Sequence, residues 1–267
     1  MTSHITLIGA GRMGSALAGG WLKAGHAGRI DIVDPSPAER VQAWIARGDV
    51  RHNPAPSPAD ILVVAVKPQM FGQLAATMSD RVGPDTKVLS IMAGVSMATL
   101  QAKLGTPNIA RAMPNTPGLV GKGVTILCTK PGTSDAFVED MKGLLAPLGA
   151  VEGPIDEAQL PAATAISGCG PAYGFLLAEV MAAAGARHGL DPELAMRLAR
   201  KTVEGVGALM EDASEDAATL RQNVTSPNGV TQAALEVLMS PDAMPSLFED
   251  AVAAAIARDR ALSKETE

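Results

Sequence analysis

Directly after a short apolar run, Ile5 to Ile8, the chain reads Gly9-Ala10-Gly11-Arg12-Met13-Gly14 and then turns helical. Glycines at this spacing answer separate steric demands: Gly9 permits a tight turn, Gly11 lets backbone approach a pyrophosphate, and Gly14 lets the helix pack closely on the strand. Free N–H groups and the positive end of that helix then face phosphate oxygens. Asp34 ends the next apolar run, 20 positions after Gly14. A carboxylate there accepts hydrogen bonds from the ribose of a dinucleotide. Val66-Lys67-Pro68 and Ala93-Gly94 end later apolar runs and are expected on the same crevice, with plain turn chemistry as the alternative for each taken singly. Ser36 and Asn53 are counted with the cofactor-binding candidates.

Further segments carry more than connector chemistry: Arg111 to Pro117 (RAMPNTP), Ser167 to Tyr173 (SGCGPAY) and Val224 to Thr231 (VTSPNGVT). In the last, Ser226-Pro227-Asn228-Gly229 sets a tight turn before a helical pattern from Thr231 to Met239. The N–H groups of Gly229, Val230 and Thr231 are expected to point outward at a helix start. Such a nest binds a carboxylate without a lysine or arginine.

These residues need a scaffold, and the apolar periodicity supplies one. Strands are expected at Ile5 to Ile8, Ile30 to Val33, Ile61 to Val66, Val88 to Ile91, Ile109 to Met113 and Val124 to Cys128, with helices such as Met13 to Lys23, Pro37 to Arg47, Gln69 to Met78 and Ala136 to Leu145. Alternation of this kind predicts an α/β fold, a Rossmann-type doubly wound parallel sheet. Beyond about Pro154 the β-branched runs give way to Ala, Leu, Met and Glu at helical spacing. The expected domains are residues 1–154, binding the dinucleotide, and 155–267, an all-α domain for substrate and dimerisation. In the second domain Asp191-Pro192 reads as a helix start and Gly189 as the end of the helix before it.

Composition narrows the function classes. The chain of 267 residues is 47% hydrophobic, 19% charged and 3% aromatic, with 28 acidic against 22 basic residues for a formal charge of -6. No basic run could track a phosphate backbone, which argues against nucleic acid as a partner. No signal core or uninterrupted membrane-length stretch is apparent, so no membrane role and a cytoplasmic location are expected. Cys128 and Cys169, the only cysteines, are read as reduced thiols. His4, His26, His52 and His188 lack ligand spacing, and no metal site is expected.

Taken together, the glycine fingerprint, VKPQ, RAMPNTP, SGCGPAY and VTSPNGVTQAAL resemble the pyrroline-5-carboxylate reductase family, in the same order and over nearly the whole chain. The family more often has Ser at Cys169 and Gly at Asn228; Asn tolerates positive φ, so the turn should survive. The resemblance implies reduction of 1-pyrroline-5-carboxylate, a small cyclic imino acid, to L-proline with NADPH or NADH, in the final step of proline biosynthesis. It implies that Ser226, Gly229, Val230 and Thr231 hold the substrate carboxylate, that Asn223 lines that pocket, and that Lys67, Ala93 and Asn115 lie near the cofactor and the reacting ring. Glu157 matches an acidic position before SGCG, with a surface-helix carboxylate as the alternative. Thr231 is the catalytic candidate, hydrogen bonding the ring nitrogen; a hydroxyl serving only its own helix is the alternative. Self-association is implied too, as a homodimer or larger ring up to a decamer.

Rival readings are a β-hydroxyacid dehydrogenase, or another small-imine oxidoreductase, and a dinucleotide-binding sensor without catalysis. The dehydrogenase needs a lysine on a helix of the second domain, where only Lys201 and Lys264 occur. The VTSPNGVT nest argues against the sensor. On cofactor choice, Asp34 would repel a 2′-phosphate while Ser36 and Arg40 soften the repulsion. NADH is therefore expected to serve as well as NADPH or better.

Overall fold

The apolar runs become strands buried on both faces. In this computed structural model, which describes residues 3–266, β1 (Ile5–Ile8) has all of its residues buried. The chain continues through α1 (Arg12–Lys23), β2 (Ile30–Val33), α2 (Glu39–Arg47), β3 (Arg51–His52), β4 (Ala59–Val64), α3 (Pro68–Ser79), β5 (Val82–Ser90), α4 (Met97–Leu104), β6 (Ile109–Pro114), β7 (Gly123–Thr129), α5 (Asp135–Leu145) and β8 (Gly149–Ile155). Among the described residues the strands form one eight-stranded sheet in the order β3-β2-β1-β4-β5-β6-β7-β8. Neighbours are parallel except β6 and β7. Those two are joined only by the short 3-10 turn Thr116–Val120, which lacks the length of the crossover a parallel pair needs.

Successive residues of a strand face opposite sides of a sheet, and two cores result. Ile61 and Val63 of β4 join Leu17 and Trp21 of α1, Val41 of α2 and Met141 of α5. Leu62 and Val64 join Phe71 and Met78 of α3 and Leu100 of α4. Helices on both faces make the fold doubly wound, as expected. Each fully buried Leu or Ile here contributes about 1.5–3 kcal/mol. Trp21 also fixes α1 to the end of α5, its indole N–H donating to the Leu144 carbonyl at 2.8 Å.

Two strands were not legible beforehand. β3 is a pair of exposed residues, and β8 (GAVEGPI) alternates between half-buried and exposed positions. Both close the sheet at its edges, where Gly and Pro are tolerated.

Helices follow: α6 (Leu160–Ala163), a π-type turn at Thr164–Gly168, α7 (Gly170–Arg187), α8 (Pro192–Asp212), α9 (Ala217–Asn223), α10 (Val230–Leu238) and α11 (Met244–Thr266). The chain falls into two compact units, Met1–Cys169 with Ala255–Glu267, and Gly170–Ala254. In the second unit α8 begins as its sequence suggests: Asp191 accepts the Leu194 N–H at 2.9 Å, Pro192 occupies the first turn, and Gly189 adopts φ +96°. Its buried seam is small, formed by Ala178, Ala182, Ala195 and Ala199. Larger apolar side chains of α7 lie outside, Phe175 at 71% exposure and Leu176 at 55%.

That finding corrects one sequence expectation. Glu157–Arg187 is long and apolar enough to cross a membrane by length and composition alone. The stretch mixes bulky residues such as Phe175, Leu176 and Val180 with alanines and is broken by glycines and prolines, so it escapes a search for uninterrupted apolar runs. An apolar surface of this kind marks a contact with another molecule.

Candidate active site

Each glycine of the first loop meets a distinct physical constraint. Gly9 has φ +90°, and a Cβ there would stand 2.7 Å from the Ala65 carbonyl oxygen at the end of β4. A Cβ on Gly14 would fall well inside contact distance of the Gly9 carbonyl oxygen. Gly11, at the N-cap of α1, has open space where a Cβ would go, which is the room a pyrophosphate needs to reach the backbone. The loop therefore fits a dinucleotide on observations of its own. Met13 packs on the core while Arg12 is exposed.

Asp34 does more for the protein than its position suggests. Its Oδ2 accepts the Ala10 N–H at 2.6 Å, and its Oδ1 accepts the Ser36 N–H at 2.8 Å. Asn53, at φ +45°, clamps the same residue: its Oδ1 accepts the Asp34 N–H at 3.0 Å, and its Nδ2 donates to the Asp34 carbonyl at 3.2 Å. The carboxylate thus ties the glycine loop to the turn after β2. Arg40 does not turn towards Ser36. It reaches back to α1, where Nε donates to Ser15 Oγ and Nη2 to the Arg12 carbonyl, each at 3.0 Å.

The other crevice candidates lie at the carboxyl ends of β4 and β5. Lys67 is the exposed N-cap of α3, and Pro68 opens that helix. Val66 is half-buried just before them. Pro68, Gln69, Ala93, Gly94, Lys103 and Leu262 are among the residues lining a cavity of about 400 Å³. Asn115 commits its amide to structure: Oδ1 accepts the Val124 N–H at 2.9 Å, and Nδ2 donates to the Ser167 carbonyl at 3.0 Å. RAMPNTP is thereby joined to SGCGPAY through one side chain.

Glu157 is neither a loose surface carboxylate nor free. Its Oε1 accepts from Arg111 Nη1 at 2.6 Å and from the Met97 N–H at 2.8 Å. Arg111 is buried in β6, and this pair neutralises its charge beside the start of α4. Sequence reading overlooked Arg111 as the anchor, although an arginine inside the apolar strand IARAMP was a signal that a buried anion must exist. On β7, burial raises the pKa of the Cys128 thiol to about 11, with the Glu157 charge adding to the shift.

In the second unit the SPNG turn forms as its residues dictate. Asn228 takes φ +57°, and its N–H donates to Gln232 Oε1 at 2.8 Å. The Gly229 N–H closes the turn onto the Ser226 carbonyl at 3.0 Å, so it is not among the outward donors that sequence suggested. Among the described residues, the N–H groups of Val230 and Thr231 have no acceptor, as first-turn helix groups ordinarily lack one. Val230 is 91% exposed, and Ser226, Thr231 and Asn223, the last residue of α9, are exposed too. The turn offers donors at a helix start with no acceptor set against them among the described residues.

Comparison with known proteins decides between the readings. The chain is 37% identical to the pyrroline-5-carboxylate reductase of Pseudomonas aeruginosa over 99% of this chain and 98% of the relative. It belongs to the pyrroline-5-carboxylate reductase family. A family model described as pyrroline-5-carboxylate reductase dimerisation matches residues 157–262, and one described as NADP oxidoreductase coenzyme F420-dependent matches residues 4–94. Among solved structures, a pyrroline-5-carboxylate reductase from Coxiella burnetii superposes with TM-score 0.90 at 31% identity, covering 98% of this chain and 99% of that one. The Plasmodium falciparum pyrroline carboxylate reductase, solved with NADP bound, gives TM-score 0.80 at 29% identity and 98% coverage of both chains. The dimerisation model spans α7 with its uncovered apolar residues, and self-association accounts for them.

Proposed function

We infer that this protein is an NAD(P)H-dependent reductase that converts 1-pyrroline-5-carboxylate to L-proline. The observation that carries this is full-length similarity to enzymes of that name, joined to a glycine loop whose packing fits a dinucleotide. The geometry supports roles for individual residues. The loop Gly9 to Gly14 and the positive end of α1 hold the pyrophosphate. Asp34, Ser36 and Asn53 shape the adenosine end; Val66, Lys67, Pro68, Ala93, Gly94 and Asn115 form the wall along which the rest of the dinucleotide lies. Bound there, the reduced nicotinamide supplies a hydride to the C=N carbon.

The turn at Ser226 to Thr231 takes the substrate carboxylate through the free N–H groups of Val230 and Thr231. Gly229 keeps that turn closed, and Asn223 borders it. The Thr231 hydroxyl hydrogen bonds the ring nitrogen, which carries a proton so that the carbon is electrophilic; after hydride transfer that nitrogen is the secondary amine of proline. Holding both reactants in contact supplies most of the acceleration. Glu157 acts from further back, neutralising Arg111 and capping α4. The working protein is a cytoplasmic homo-oligomer, a dimer or larger. Light scattering at micromolar concentration checks the assembly, and a monomeric mass contradicts it. Oxidation of reduced dinucleotide on addition of pyrroline-5-carboxylate, with proline as product, tests the activity.

A further inference from the structure

We propose that Arg12 and Arg40 form the receptor for a phosphate on the adenosine ribose, and that they make this reductase prefer NADPH to NADH. The inference rests on the dinucleotide reading above and deepens it. Sequence alone points the other way, because Asp34 stands where a carboxylate takes the ribose hydroxyls and repels a phosphate. In the structure both oxygens of Asp34 already accept backbone N–H groups, from Ala10 and Ser36. The backbone of Asp34 is held as well, by Asn53 and by His52, whose Nε2 lies 2.9 Å from the Asp34 carbonyl. Both oxygens of the carboxylate are thereby held in place, bracing the loop.

Among the described residues, Arg12 and Arg40 beside this brace form no ion pair. Arg40 crosses from α2 to the first turn of α1, gripping the Arg12 carbonyl and the hydroxyl of Ser15, which is fully buried and donates in turn to the Gly11 carbonyl. That guanidinium sits against the positive end of a helix, where a cation is electrostatically unfavourable. The first turn of α1 holds no acidic residue to compensate. Arg12 adds a second guanidinium at the first helical position, exposed and with no side-chain hydrogen bond or ion pair among the described residues. Arg40 Nη1 is likewise without a partner among them, leaving an N–H edge able to meet a phosphate. The pyrophosphate is served by the backbone N–H groups of the loop, so these guanidinium groups are surplus to it. A ribose 2′-phosphate is the anion that dinucleotide chemistry offers at this end of the site, and NADH would leave both arginines unmatched.

Calorimetric titration with NADPH, NADH, 2′,5′-ADP and 5′-AMP tests this without turnover. The wild type should bind NADPH at least about tenfold more tightly than NADH, with 2′,5′-ADP exceeding 5′-AMP by a similar factor. Arg12→Gln, which breaks no intramolecular side-chain contact, should weaken NADPH and 2′,5′-ADP about tenfold and change NADH and 5′-AMP by less than about twofold. Arg40→Met should act in the same direction, with a melting curve showing that it folds. Equal wild-type affinities for NADPH and NADH would overturn the proposal, as would an Arg12→Gln variant that weakens both alike. Failure of the wild type to bind any dinucleotide would sink the underlying reading along with it.

Discussion

The glycine loop and the Ser226–Thr231 turn both present backbone N–H groups at a helix start, yet they differ in what stands behind them. The loop is packed to the limit: Gly14 lies against the Gly9 carbonyl, and Ala10 is tied to Asp34 at 2.6 Å. Among the described residues the turn is held by local bonds, from Gly229 to Ser226 and from Asn228 to Gln232, and Val230 is 91% exposed. The glycine loop is thus preorganised by the fold of one unit. The Ser226–Thr231 turn is organised by its own few residues, in a helical region that matches a dimerisation model. Substitutions at the first should register in stability, and at the second in catalysis.

The largest effect is expected at Gly14. Gly14→Ala drives a Cβ into backbone that cannot yield, and should cost on the order of 4 kcal/mol in urea unfolding. Gly11→Ala, where space is open, should cost less than about 1 kcal/mol while still weakening dinucleotide binding. If both variants lose stability equally, packing does not distinguish the glycines. Next comes Glu157→Gln, which leaves the Arg111 guanidinium buried without its counter-charge. A loss of about 3 kcal/mol is expected, and an unchanged unfolding midpoint would show that the pair does not anchor β6 to α4.

Thr231→Val keeps the shape and removes the hydroxyl. Turnover should fall tenfold or more, about 1.4 kcal/mol in barrier, with stability and cofactor affinity unaltered. Unchanged turnover would remove Thr231 from the mechanism. The smallest effect concerns the thiols. With its pKa raised to about 11 by burial, Cys128 stays neutral throughout the ordinary working range and becomes a thiolate only in strong alkali. Iodoacetamide at mild alkaline pH should therefore label the half-buried Cys169 and spare Cys128, as mass spectrometry of peptides will show.

The same contrast explains what could be read beforehand. The glycine loop was legible because steric demands write themselves into residue type: only glycine fits at positions 9 and 14. The doubly wound fold was legible from strands such as ITLI, whose continuous burial leaves a continuous apolar run. β8 was not, since an edge strand covered on part of its surface shows no such run. Asp34 could be found but not understood, because its partners, the N–H groups of Ala10 and Ser36, carry no side-chain signature. The pairing of Arg111 with Glu157 spans 46 positions, and no local pattern joins residues so far apart. In the second unit the SPNG turn was legible from Asn228 and Gly229, while the binding of the Gly229 N–H to Ser226 was hidden in the turn geometry.

The central claim is that a loop built for a dinucleotide and a turn built for a carboxylate serve one reaction, hydride transfer to a cyclic imine. The most direct measurement mixes the purified protein with reduced dinucleotide and pyrroline-5-carboxylate, and follows cofactor absorbance and proline together. One proline should form for each cofactor oxidised, and a 3-hydroxy acid offered with the oxidised cofactor should give no reduction. Cofactor that binds yet is not oxidised by the imine, or turnover of the hydroxy acid instead, would contradict the account.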